Sequence, residues 1–99
     1  MRPIHLARLD KTRPVLLLTR AVVRPHLTAV TVAPITTTRR GLSIEVSVDR
    51  RNGLDGPSVV NCDNITTIEV AELGDQIGML FEWQEPALAA AVQAAFDLD

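Results

Sequence analysis

The polar segment Thr36–Arg40, which reads TTTRR, contains the side chains in this sequence that are best suited to chemistry. It follows directly after Ala29–Ile35, an apolar run rich in β-branched residues that favours a buried strand. Hydroxyl groups donate single hydrogen bonds and guanidinium groups donate a charged fork, so such a cluster can hold the oxygens of a phosphate. The alternative is an exposed strand end whose arginines are merely solvated.

Charge is distributed unevenly along the 99 residues. Residues 1–51 contain all ten basic residues and three acidic ones, a net charge of +7, whereas residues 52–99 contain nine acidic and no basic residues, a net charge of −9. A basic half of this kind suggests an anionic partner, either a nucleic acid or an acidic protein.

The composition, 46% hydrophobic and 22% charged, is typical of one globular domain, which we expect to span residues 1–99. No apolar run approaches the roughly 20 residues that cross a bilayer. The first ten residues also lack the apolar core of a signal peptide, so we expect a cytoplasmic protein. Cys62 is the only cysteine, which excludes an intrachain disulfide and a thiolate zinc cluster.

Several common kinds of site are missing from the sequence. It has no glycine-rich phosphate loop, no G-x-S-x-G motif and no H-E-x-x-H motif. His5 and His26 lie in separate segments, so neither a metal site nor a cofactor is expected. The aromatic residues are Phe81, Trp83 and Phe96, all in the acidic half, which argues against a platform that stacks the bases of a single strand.

The elements that must position the polar cluster are mostly short strands. A single helical turn is predicted at Val70–Leu73, and an amphipathic helix from Pro86, where apolar residues recur at helical spacing up to Phe96. The sequence therefore predicts a mainly β fold, a small and strongly bent antiparallel sheet or barrel with a C-terminal helix. The predicted strands are Pro3–Asp10, Arg13–Thr19, Ala29–Ile35, Ser43–Val48, Ser58–Cys62 and Gln76–Phe81.

Four segments in this order resemble the MazF/PemK family of toxin endoribonucleases, and the likeness extends over almost the whole chain. The segments are Arg13–Thr19 (RPVLLLT), Thr31–Thr36 (TVAPIT), Ser58–Asp63 (SVVNCD) and Thr66–Ile68 (TTI). The opening residues Arg2–Asp10 and the closing amphipathic helix are also similar to that family.

The resemblance implies an SH3-like barrel of the MazF/CcdB type that works as a homodimer. It also implies the toxin of a type II toxin–antitoxin system, which cleaves RNA selectively by sequence and without a metal ion. The RNA is expected to be a single strand or loop of an mRNA, tRNA or rRNA. A MazE-like antitoxin, with an acidic extended tail that occupies the RNA groove, is the expected protein partner.

The resemblance also assigns roles to three residues. The catalytic arginine of the family corresponds to Arg13, the threonine that ends its A-P-I-T strand corresponds to Thr36, and the aspartate of its R-C-D segment corresponds to Asp63. In metal-free cleavage the 2′-hydroxyl attacks the adjacent phosphorus, leaving a 2′,3′-cyclic phosphate and a 5′-hydroxyl. We expect Arg13 to stabilise the charge, Thr36 to hold a non-bridging oxygen and Asp63 to act as base. Further RNA contacts are expected from Lys11, Thr37, Thr38, Arg39, Arg40, Asn61 and Asn64.

The chain departs from the family at two places. The first loop is short, with only Lys11 and Thr12 between Asp10 and Arg13, so the acid and base candidates of the longer loop are missing. In addition, Asn61 replaces the arginine of R-C-D.

Other interpretations remain open at this point. Arg13 could simply pair with Asp10 at the surface, and Asp63 with Asn64 could form an ordinary turn. A CcdB-like toxin that poisons DNA gyrase shares the fold but depends on an aromatic residue close to its C-terminus. This chain ends Phe96-Asp97-Leu98-Asp99, which disfavours that alternative. An inactive barrel is the third possibility.

Overall fold

The computed structural model describes residues 1–20 and 24–98. Within these residues the chain forms seven strands, a C-terminal helix and several single 3₁₀ turns. The strands are β1 (Arg2–Arg8), β2 (Thr12–Leu17), β3 (Ala29–Thr36), β4 (Glu45–Val48), β5 (Ser58–Asn61), β6 (Thr66–Glu69) and β7 (Leu73–Leu80), and the helix is α1 (Glu85–Ala95).

All strand pairs are antiparallel, and the sheet order is β4-β5-β3-β2-β1-β7. Strand β3 is central because it pairs with β2 on one edge and changes partner on the other, from β6 to β5. The β1–β7 pairing contains register shifts around His5, which are irregularities of the kind that bend a sheet. The result is a curled half-barrel with a C-terminal helix, which confirms the predicted fold class.

The two faces of the sheet carry separate apolar cores. Leu16 and Ile35 belong to the larger core, which α1 covers with Leu88 and Ala91. Val15 points the other way and joins a smaller core. Because successive side chains of a strand alternate between faces, a strand buried on both sides needs the continuous apolar run that β2 has. The remaining members of the smaller core are Ala7, Leu17, Val30 and Val32.

The boundaries of several elements differ from the prediction. Strand β4 begins at Glu45 rather than Ser43, because Glu45 N–H closes a turn onto Leu42 O. Strand β7 begins three residues earlier than Gln76, directly after a 3₁₀ turn at Val70–Glu72. The predicted helical turn and the C-terminal helix are therefore confirmed.

The apolar face of the helix is one residue shorter than predicted. Helix α1 ends at Ala95, and Phe96, which the periodicity places on the packed face, is 56% exposed. The reason is local, because Phe96 already occupies the C-cap position, where the chain leaves the helix.

Candidate functional site

The register of the sheet explains how the candidate site is built. Val15 pairs with Pro34, and Asn61 pairs with Glu45. Extending the β2–β3 and β3–β5 registers by one step along the same face places Arg13 beside Thr36, and Pro34 beside Asn61. Paired residues of an antiparallel sheet share a face. The polar side chains therefore lie on one face of β2, β3, β5 and β4, opposite the core that packs on α1.

A cavity of about 190 Å³ opens on this face. We call it the arginine cavity. Pockets that enclose a complete small ligand usually measure about 300–1,000 Å³. The smaller volume suits one group of an extended ligand better than a whole molecule. The cavity is lined by Arg13, Pro34, Thr36, Thr38, Arg40, Glu45, Asn61 and Asn64.

Arg13 lies at the start of β2, and the protein uses only part of the hydrogen-bonding capacity of its guanidinium group. Its Nη2 donates to Asp10 Oδ2 at 3.0 Å, in a salt bridge where the Arg13 side chain is 26% exposed and the Asp10 side chain 73%. Its Nε is buried and has no acceptor among the described residues. The surface pair considered from sequence is thus present, but it uses one edge of the guanidinium and leaves hydrogen-bonding capacity unused.

Two acceptor atoms of the cavity wall are occupied by backbone N–H groups. Thr36 Oγ1 accepts from Thr38 N at 3.2 Å, and Asn61 Oδ1 accepts from Asp63 N at 2.9 Å. The Thr36 hydroxyl proton and the Asn61 amide N–H groups form no hydrogen bond within residues 1–20 and 24–98. The cavity therefore presents hydrogen-bond donors, which is the chemistry that an anion requires.

Glu45 is a site residue that sequence reasoning missed. Its carboxylate accepts from Arg40 N at 3.1 and 3.2 Å and from Leu42 N at 3.2 Å. In this way it fixes the loop that carries Arg40. A signal existed, because Ile44, Val46 and Val48 alternate and so place Glu45 on the opposite face. The pairing of Glu45 with Asn61, however, is not visible in the sequence.

Six of the ten residues predicted for the site come together in the arginine cavity, and four do not. Asp63 is exposed in the 3₁₀ turn Cys62–Asn64, which buries Cys62 and directs its neighbours outward. Lys11 is exposed in the turn between β1 and β2, and Thr37 is exposed beyond the end of β3. Arg39 lines a neighbouring cavity instead. The six that line the arginine cavity are Arg13, Thr36, Thr38, Arg40, Asn61 and Asn64.

The remaining reactive side chains lie elsewhere. His5 Nδ1 is 3.0 Å from Gly74 O at the β1–β7 edge. Cys62 belongs to the larger core, where burial raises the pKa of its thiol. No group of three or more His, Cys, Asp or Glu side chains that could hold a metal ion occurs in the described ranges. Of the helices in those ranges, none is long and apolar enough to cross a membrane.

Comparison with known proteins agrees with the geometry. Residues 4–96 match the family described as PemK-like, MazF-like toxin of type II toxin–antitoxin system. The chain is 71% identical over 99 residues to endoribonuclease MazF3 of Mycobacterium tuberculosis, covering all of this chain and 96% of that protein.

Two solved structures extend the comparison. The Mycobacterium tuberculosis toxin MazF-mt6 is 70% identical, with a TM-score of 0.97 and 99% of each chain covered. A mycobacterial endoribonuclease in complex with its cognate antitoxin is 28% identical, with a TM-score of 0.86, covering 98% of this chain and 93% of that one. The chain therefore belongs to the PemK-like, MazF-like family of toxins of type II toxin–antitoxin systems.

Proposed function

We propose that the arginine cavity is where this endoribonuclease toxin holds and breaks the RNA backbone. The proposal rests on which polar groups of the cavity are already hydrogen-bonded within the protein and which are not. The acceptor oxygens of Thr36, Asn61 and Glu45 are used by the protein's own N–H groups. Donors from Arg13, Thr36 and Asn61 remain for a ligand. A phosphodiester offers only acceptor oxygens and a negative charge, so it complements this wall.

The chemistry is attack by the 2′-hydroxyl of the RNA on the adjacent phosphorus. The bond from phosphorus to the 5′-oxygen breaks, a 2′,3′-cyclic phosphate forms, and the leaving oxygen takes up a proton to give a 5′-hydroxyl. Negative charge builds up on the non-bridging oxygens on the way. The Arg13 guanidinium stabilises that charge, and the Thr36 hydroxyl donates to one of those oxygens. The attacking and leaving groups come from the RNA, the base and the donors come from this chain, and the proton for the leaving oxygen comes from water, so the step balances without a metal ion.

Two carboxylates, one in the wall of the cavity and one just outside it, are the candidates for the base that removes the proton of the 2′-hydroxyl. Glu45 lines the cavity, but its oxygens already accept backbone N–H groups. Asp63 is exposed beside Asn64, which lines the cavity, and its carboxylate has no hydrogen-bonded partner among the described residues. We keep Asp63 as the base, because a free carboxylate can accept a proton without releasing the loop that carries Arg40.

The RNA extends beyond the cavity. A volume of about 190 Å³ holds little more than the group that reacts, so other contacts must lie outside it. Lys11, Thr37 and Arg39 are exposed residues that we assign to flanking phosphates and sugars. Such contacts position the strand, whereas contacts to bases select the sequence. The substrate is a single strand or a loop of an mRNA, tRNA or rRNA, because its bases must be accessible.

The proposal includes one domain, a homodimer, a MazE-like antitoxin and a cytoplasmic location. The complex of a 28% identical mycobacterial endoribonuclease with its cognate antitoxin supports an antitoxin here. An acidic antitoxin tail would compete with RNA for the same donors. The CcdB-like alternative is not favoured, because the relatives at 71% and 36% identity are an endoribonuclease and a probable endoribonuclease.

The test is to incubate the purified protein with total RNA in EDTA and to map the new 5′ ends. We expect cuts that carry 5′-hydroxyl groups and recur at a short common sequence. Ends that carry 5′-phosphate, or cutting that disappears in EDTA and returns with magnesium, would contradict the chemistry. Uncut RNA would contradict the function itself.

A further inference from the structure

A second cavity, which we call the tryptophan cavity, adjoins the first. It has a volume of about 470 Å³, and its lining includes Trp83, Arg51 and Arg39. Glu45 lines both cavities, so the two share a wall. Arg39 and Arg40 are consecutive residues, yet Arg40 lines the arginine cavity and Arg39 lines the tryptophan cavity. A strand whose phosphate is held in the first cavity can therefore continue into the second.

The side chain of Trp83 has the character of a binding surface. It is 65% exposed, although an indole ring is costly to leave in water. The Arg51 guanidinium lies over the ring, 5.5 Å from its centre. Arg51 is held there by Asp49, whose carboxylate accepts from its Nε at 3.2 Å and its Nη2 at 3.0 Å. An aromatic ring beside a guanidinium plane is what a nucleobase stacks against.

A buried amide pair fixes Trp83 next to Arg51. The residue that follows each of them is buried, and Asn52 Nδ2 donates to Gln84 Oε1 at 2.7 Å. Asn52 Nδ2 also donates to Met79 O at 2.9 Å, and Gln84 Oε1 also accepts from Phe81 N. The two 3₁₀ turns that carry Arg51 and Trp83 are thereby locked together. A surface formed before the ligand arrives loses little entropy on binding.

We propose that Trp83 and Arg51 form a stacking site for a nucleobase of the RNA strand that flanks the cleaved phosphate. Arg39 holds a phosphate of the same flanking stretch. The site rests on the proposed function, because its ligand is the RNA that the arginine cavity cleaves. The fold thus brings an aromatic residue of the acidic half into one cavity with two arginines of the basic half, although the halves are separate in the sequence.

The charge of the tryptophan cavity favours a base over an acidic peptide. Two arginines line it, and two carboxylates, Asp49 and Glu45, line it as well. These charges balance, whereas an acidic peptide is drawn to a surface with a net positive charge. A nucleobase is neutral and presents a π-face, so it needs no such excess.

The first arm of the test uses the intrinsic fluorescence of the protein. Trp83 is the only tryptophan in the sequence, so the whole indole signal comes from the proposed site. The probe is a synthetic oligoribonucleotide that spans a mapped cut, with a 2′-O-methyl ribose at the cleaved position so that it binds without being cut. We expect saturable quenching with the same midpoint as binding measured by anisotropy. Saturable binding without any change in the indole signal would overturn the site.

The second arm combines single abasic positions in the RNA with a matched pair of variants. Trp83→Leu removes the aromatic face, and Trp83→Phe keeps one. We expect Trp83→Leu to lower kcat/KM by about fivefold or more, mainly through KM, because about fivefold is the lower end of what the stacking of one base on an aromatic side chain contributes. Trp83→Phe should recover most of the loss. An abasic nucleotide at one position of the RNA should lower kcat/KM of the wild type and leave kcat/KM of Trp83→Leu unchanged. Melting curves of both variants are the control for folding.

The outcomes separate this site from the proposed function. Suppose that the wild type cuts RNA and that Trp83→Leu cuts every abasic substrate as efficiently as the wild type does. The stacking site is then wrong and the function stands. If Trp83→Leu weakens binding of an acidic antitoxin peptide and leaves RNA binding unchanged, the surface belongs to a protein partner and the inference is overturned. If the wild type does not cut RNA at all, both proposals fail together.

Discussion

Two groups of polar residues in this fold differ in how fully their hydrogen-bonding atoms are used by the protein. In the buried pair Asn52 and Gln84, each amide oxygen and nitrogen has a protein partner, and the two side chains are 1% and 5% exposed. Around the arginine cavity, the acceptor oxygens of Thr36 and Asn61 are bonded to backbone N–H groups, whereas the donors of these two residues and of Arg13 are not fully used. The first arrangement stabilises the fold, and the second leaves binding capacity for a ligand. Substitutions in the two regions should therefore affect different properties.

The largest effect is expected for Arg13→Ala, which should lower kcat by about 10²–10³-fold, the usual result of removing one charge-stabilising donor. Its stability should change little, because an exposed ion pair contributes only about 0.2–1 kcal/mol. Single-turnover cleavage and urea unfolding measure the two properties. Asp10→Ala is the matched control, since it removes the same ion pair and keeps the guanidinium. If Asp10→Ala loses as much activity as Arg13→Ala, the ion pair rather than the free donor matters.

Gln84→Ala should show the opposite pattern. It removes one of the hydrogen-bond partners of the buried Asn52 amide, which costs about 1–3 kcal/mol of unfolding free energy. Below the unfolding transition its kcat should remain near the wild-type value, because Gln84 is not part of the arginine cavity. Gln93→Ala, at an exposed position of α1, is the control and should change stability by less than about 0.5 kcal/mol. A stable Gln84→Ala protein would mean that the amide pair does not hold the turns.

Thr36→Val should have a moderate effect on catalysis. The substitution keeps the shape of the side chain and removes one hydrogen bond to a charged oxygen, so kcat/KM should fall about tenfold to a hundredfold. Thr66→Val, an exposed threonine on β6 outside the cavity, should retain full activity. Equal activity in the two variants would remove Thr36 from the phosphate site.

The smallest effect concerns the ion pair that holds Arg51. Hydrogen bonds from Arg51 lower the pKa of Asp49 below its ordinary value of 3.8. The folded state therefore gains stability above pH 3.8, and loses it as the pH falls through the lowered pKa. Asp49→Asn should melt slightly below the wild type at neutral pH and together with it in strong acid. A difference in melting temperature that persists unchanged in acid would contradict this assignment.

Much of the fold could be predicted from the sequence, because strand and helix periods are local. The apolar run of β2, the alternation of β4 and the helical spacing of α1 each indicated the correct element. The residues that form the site depend on register instead. Arg13 and Thr36 were identified by family resemblance, and the extended β2–β3 register places them side by side. Glu45 and Trp83 were missed, because no local pattern shows that β4 pairs with Asn61 or that two 3₁₀ turns meet through a buried amide pair.

Asp63 lies outside the cavity for a reason that the sequence likewise does not show. Asp63 was assigned to the site by its correspondence to the aspartate of the family's R-C-D segment, and Asn61 and Asn64, which lie on either side of it in the sequence, both line the cavity. The 3₁₀ turn rotates successive side chains by about a third of a turn, which buries Cys62 and exposes Asp63. Sequence spacing alone does not reveal this rotation.

The single-turnover cleavage rate of Arg13→Ala, with and without added guanidinium ion, tests the central claim most directly. If a donor facing the cavity stabilises the charge on the non-bridging oxygens, the variant should cut RNA very slowly and recover part of its rate when guanidinium is supplied. Tetramethylammonium at the same ionic strength should not restore it. A variant that cuts RNA at the wild-type rate without any addition would contradict the account.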